Sequence, residues 1–151
     1  MQLEKSSFKP LFESICTKYG VKVFFDGDEE DNGYAVRNEV HLAKEYSCLS
    51  ICKAVAFHEL GHAIINIKRA KGIKLYKVHS NFNNEFNAWW LAQRLYIKYM
   101  KRPFTKTMGD FALECLKTHS ATHYAFKDTF GDEALAKKEQ SKYCHATSLT
   151  R

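Results

Sequence analysis

The chain has no apolar run long enough to cross a bilayer and none near Met1 that would serve as a signal peptide. Those absences predict a cytoplasmic protein. Its five cysteines, Cys16, Cys48, Cys52, Cys115 and Cys144, are odd in number and lack framework spacing. That excludes a disulfide scaffold and predicts reduced thiols. No Lys/Arg block carries interleaved aromatics, so nucleic-acid binding is not signalled even at a formal net charge of +6. No internal repeat, low-complexity stretch or linker divides the 151 residues, and a single domain spanning 1–151 is the expectation.

What is present suits one core of ordinary size. Hydrophobic residues make up 45% and charged residues 26%, a globular balance rather than a disordered one. Phe8, Leu11, Phe12, Ile15 and Tyr19 fall at helical spacing after a cap at Ser6 or Ser7, with Pro10 in the first turn and Gly20 at the end. Val21 to Phe25 reads as a strand. Tyr34–Arg37 and Glu39–Leu42 read as two more, joined through Asn38, with Tyr34, Val36, Val40 and Leu42 setting the period-two pattern. Ser47 is the expected cap of a long helix to about Ile67, whose core candidates are Leu49, Cys52, Val55, Ala56, Ala63 and Ile64. A helix following Ser80–Asn84 runs to about Met100, before Pro103, and two further helices are expected over 110–118 and 132–142. The order predicts an α+β protein with a small antiparallel three-stranded sheet covered by helices on one side.

Chemistry concentrates in His58-Glu59-Leu60-Gly61-His62, an HExxH motif on a predicted helix. Residues four apart share one helical face, so both imidazoles can reach one metal ion. Glu59 projects beside them, where a carboxylate can take a proton from a water without itself ligating. Zinc favours imidazole nitrogen, and three protein ligands leave a fourth position open. Gly61 costs the helix about 1 kcal/mol relative to Ala, a cost that inside a helix often has a packing or functional reason.

A third ligand must come from elsewhere, and Glu85 is the best candidate. From it, Ala88, Trp89, Ala92, Leu95, Tyr96 and Tyr99 continue one apolar face. A carboxylate entering that face needs a partner, which a metal ion would supply. The alternative is a first-turn Glu that only complements the helix dipole.

HELGH followed by Glu85-Phe86-Asn87-Ala88-Trp89-Trp90 resembles the ImmA/IrrE-type metallopeptidases of bacteria and their mobile elements. In that family a helix reading roughly Glu-Ala-Asn-x-Phe-Ala follows the motif. Glu85, Asn87 and Trp89 match it, whereas Phe86 and Trp90 stand where small residues are usual. The resemblance covers roughly residues 8–100. It implies a zincin-like fold and a zinc endopeptidase with His58, His62 and Glu85 as ligands and Glu59 as base. It also implies a protein substrate such as a helix-turn-helix regulator.

Other groupings are weaker. His119, His123 and Tyr124 are candidates to hydrogen-bond a developing oxyanion, set against a plain surface turn; His79 is a lesser one. Cys48 and Cys52, four apart, read as half-buried thiols rather than a second zinc site. Of Trp89 and Trp90, one belongs to the core and one to a border. Asp26, Asp28 and Glu30 resemble the start of a calcium loop, but Asp31 and Arg37 stand where that loop needs Gly and Glu, so a solvated turn is expected. Besides the peptidase, two other functions fit: a zincin-fold binding protein that sequesters a regulatory or host protein, and a nucleic-acid-associated protein with structural zinc.

Overall fold

Gly20 and Gly72 punctuate the first half of the chain. Each takes a positive φ, +72° and +74°, and each closes a helix by the same pair of hydrogen bonds. Val21 N donates to Cys16 O and Gly20 N to Thr17 O; Ile73 N donates to Lys68 O and Gly72 N to Arg69 O. This six-to-one plus five-to-two pattern satisfies carbonyls that a helix end otherwise leaves bare. The computed structural model describes residues 2–73 and 81–118, and the chain divides into two compact units, Met1–Lys77 and Val78–Arg151.

The first unit runs α1 (Gln2–Lys18), β1 (Lys22–Gly27), β2 (Gly33–Val36), β3 (Glu39–Ala43) and α2 (Leu49–Ala70). Because α1 begins at Gln2, Pro10 lies inside the helix rather than in its first turn. The helix survives it because its apolar stripe is tied down by packing. Phe8, Phe12 and Ile15 are buried, and both phenylalanines meet Phe57 of α2, Phe12 edge-on with centroids 5.6 Å apart. Leu11, assigned to that stripe from spacing, is exposed.

The sheet order is β1-β3-β2, with β3 parallel to β1 and antiparallel to β2. The sheet is therefore mixed, not antiparallel as expected. The chain leaves β1, crosses the end of the sheet through 28–32, and inserts β3 between β1 and β2. Val36 pairs with Glu39, so Arg37 and Asn38 form a two-residue turn rather than a link through Asn38 alone. That one-residue difference flips β2. Val40 and Leu42 are buried, and their partners Ala35 and Gly33 face inward with them. Tyr34 and Val36, on the other face, are 56% and 47% exposed. On that outer face Tyr34, His41 and Phe24 stack across the three strands with centroids 4.6 and 4.9 Å apart. Stacking and cross-strand pairing compensate the exposure.

α2 packs on β2 and β3. Its cap position is Cys48 without a side-chain hydrogen bond. Ser47 does not cap, because its N and Oγ both bond the Asp31 carboxylate, at 2.7 and 2.8 Å. Of the core candidates on α2 all are buried except Leu49, which is half-buried.

In the second unit α3 (Asn81–Met100) and α4 (Lys106–Thr118) pack together. α4 starts earlier than Asp110 because Thr105 Oγ1 accepts from Met108 N, an N-cap just past Pro103. Trp89 is buried against the edges of Phe104 and Phe111, while Trp90 is half-buried beneath Arg94, 4.8 Å from its centroid. The expected helix over 132–142 lies outside the described residues. Together the elements make an α+β protein. No helix among the described residues is long and apolar enough to cross a membrane.

Candidate metal centre

The middle of α2 is buried almost all round, from Ala54 to Gly61. Phe57 anchors one side to α1. The side carrying Val55 and Glu59 faces β2, where Gly33 makes the approach possible. A Cβ on Gly33 would stand 2.8 Å from Val55 Cγ1, 3.2 Å from His41 O and 3.3 Å from Glu59 Cγ. The strand backbone lies directly against the stem of Glu59.

His58 and Glu59 are 8% and 5% exposed, and His62 is half-buried. One turn apart, the two imidazoles meet at 78° and turn their Nε2 atoms to within 3.2 Å of each other. Glu59 Oε1 lies 3.7 Å from His58 Nε2, and one ligand atom from each of the three residues falls within 4.8 Å of the others. Zinc–imidazole bonds of about 2.0–2.1 Å in a tetrahedron set the two nitrogens about 3.3–3.4 Å apart, so the donor pair fits that ion. An Nε2–H···Nε2 bond between neutral rings suits the same spacing, and metal content separates the two.

Two residues of this region were not legible as parts of the site. Gly33 sits in an alternation whose bulky members, Tyr34 and Val36, point outward. Tyr46, just before α2, is buried; its hydroxyl accepts from Ala43 N at 2.9 Å and donates to Asn32 O at 2.8 Å. Burial pushes the phenol well above its usual range, so it remains a donor. The loop entering Gly33 is thereby tied to the end of β3. Asp31 adds its two bonds to Ser47 and, at φ 61°, takes a left-handed turn to do so. With its carboxylate used in this way, Asp31 clasps the 28–32 turn to Ser47, whereas Asp26, expected in that turn, lies in β1.

Glu85 belongs to the second unit, where it is half-buried on α3. α3 begins at Asn81 and has no acidic residue in its first turn, so Glu85 falls in the second turn, not the first. His119, His123, Tyr124 and His79 lie outside the described residues. Cys16, Cys48, Cys52 and Cys115 form no disulfide among the described residues, and burial with the nearby Glu13 charge pushes Cys16 up to about 12. Comparison with protein-family models, curated proteins and solved structures finds no match to this chain.

Proposed function

We propose that this chain is a zincin-like, zinc-dependent endopeptidase, with His58, His62 and Glu85 as metal ligands and Glu59 as general base. The observation that carries the reading is the 3.2 Å approach of the two Nε2 atoms beside a buried carboxylate. When bound, zinc polarises a carbonyl and brings the pKa of water to about 7. Glu59 accepts the proton of the attacking water as the carbon–oxygen bond forms. It then delivers that proton to the leaving nitrogen as the C–N bond breaks, giving a carboxylic acid and an amine. Burial of Glu59 keeps competing water from its carboxylate.

The peptide has a strand to pair with. β3 is central, so among the described residues β2 is an edge strand of the sheet. Asn32 O accepts from Ala43 N, which puts Asn32, Tyr34 and Val36 on the bonded side and turns the main-chain groups of Ala35 outward. An extended peptide adding to that edge passes Glu59 at Gly33. A protein substrate, such as the helix-turn-helix regulators of the family it resembles, fits this mode.

The test measures zinc and cleavage together. Wild type should hold one zinc per chain, and a His58→Ala/His62→Ala variant should hold none. Glu59→Gln should keep the metal and lose about 10²–10⁴-fold in cleavage of a substrate found by proteome-wide cleavage-site profiling. Full zinc in the double histidine variant sinks the metal assignment. Zinc with no cleavage of any wild-type-dependent site leaves the sequestering protein as the function.

A further inference from the structure

Beyond the centre itself, β2 and α2 lead to a second feature. The two elements run side by side: Gly33 lies against Glu59, and further along Asn66 Nδ2 donates to Arg37 O at 3.2 Å. Past the end of β2 they open into a groove of about 740 Å³ between the β2–β3 turn and the last turns of α2. Ala35, Ile67 and Ala70 supply apolar lining, while Arg37, Arg69 and Lys71 bring three cations, and no acidic side chain is among its described lining residues. All three cations are exposed.

Two explanations compete for those charges. Cations in the last turn of a helix complement its dipole, which accounts for Arg69 and Lys71 but not for Arg37. Arg37 sits in the first central position of a two-residue hairpin turn at φ 53°, where glycine is the unstrained choice. A left-handed arginine costs roughly 1–2 kcal/mol, and it persists at a place where its side chain joins the same groove.

We infer that this groove receives an acidic stretch of the peptide whose backbone pairs with the β2 edge. The inference rests on the peptidase reading of the His58–Glu59–His62 centre and names the substrate class it selects. From Gly33 to Arg37 is four residues of strand, about 13 Å. The acidic residues therefore lie about four or five positions from the scissile bond. A peptide is favoured over a nucleic acid because the groove continues β2, an edge strand among the described residues, whose outward main-chain N–H and C=O groups suit another main chain.

The test is binding, so it does not depend on turnover. The full chain carrying Glu59→Gln is titrated into fluorescein-labelled extended Ser/Thr-rich peptides bearing a Glu run, a Gln run or a Lys run at one end. Anisotropy at low salt should show the Glu-run peptide bound about tenfold more tightly than the Gln-run peptide, as three rim charges allow, with the gap closing as salt rises. Arg37→Asn/Arg69→Gln/Lys71→Gln should remove the preference; Asn tolerates the left-handed φ. Arg69→Glu/Lys71→Glu should turn it toward the Lys-run peptide.

Equal affinity for Glu and Gln runs overturns the inference, as does a preference that survives the triple variant. Tighter binding of an oligothymidylate, lost in the triple variant, overturns it in favour of a nucleic acid. Wild-type cleavage of the same peptides separates the two levels. Acid preference without cleavage upholds the groove and removes the peptidase, whereas cleavage indifferent to the Glu run upholds the peptidase and removes the groove.

Discussion

At the scale of single residues, the candidate ligands stand out in the sequence and the residues that support them do not. HELGH announces itself because a 3.6-residue period places His58 over His62 whatever surrounds them. Gly33 carries no such signal, because its role is an absence of volume. Gly33→Ala should cost about 1–3 kcal/mol in urea unfolding, since a Cβ 2.8 Å from Val55 Cγ1 must displace something. The stiff χ1 of valine makes that displacement expensive. Adding Val55→Ala should recover part of the loss, leaving the contacts to His41 O and Glu59 Cγ. Cleavage by Gly33→Ala should fall further than its stability explains, because the strand and the stem of Glu59 are what separate. Equal stability of Gly33→Ala and wild type would show that the strand does not press on α2.

Among the elements, kinds are more legible in the sequence than boundaries and faces. Among the described residues each expected helix and strand is present, but α1 begins at Gln2, α4 begins at Lys106, and β2 shows its other face. A link through Asn38 alone puts Val36 opposite Val40 and on the same face. The two-residue turn puts Val36 opposite Glu39 instead, and left-handed Arg37 is not a residue that advertises such a turn. The parallel pairing of β1 with β3 was equally hidden, because sequence neighbours usually pair and here β3 inserts between its predecessors. What fixes that arrangement is the clasp of Tyr46 and Asp31. Tyr46→Phe keeps the ring and removes one donor and one acceptor. Ala43 N retains Asn32 O as a partner at 3.2 Å, so the loss should be about 1 kcal/mol. Urea denaturation with an unchanged m-value reads it, and amide exchange at Ala43 should quicken. A loss near 3 kcal/mol would mean that the hydroxyl holds more of the loop than these two bonds.

For the molecule as a whole, the proposed metal centre turns on its third ligand, and Glu85 is the residue to substitute. The dipole explanation for this residue weakens once α3 is seen to begin at Asn81, since dipole effects fade beyond the first turn and Glu85 stands in the second. If it ligates zinc, Glu85→Ala leaves two histidines with a weakened hold. A zinc ion that binds the native state and not the unfolded chain would stabilise by mass action, about 2.7 kcal/mol at a hundredfold excess over Kd. Wild type with saturating zinc should therefore melt well above wild type with chelator. Glu85→Ala should melt near the chelated value and respond little to chelator, with its zinc affinity much reduced. Glu85→Gln should fall between, as an amide oxygen is a poorer and uncharged donor. A carboxylate serving only the helix dipole predicts a loss of about 0.3–1 kcal/mol in Glu85→Ala with full zinc and a wild-type chelator response. That outcome would pass the third ligand to another residue, and His119 and His123 would be substituted next.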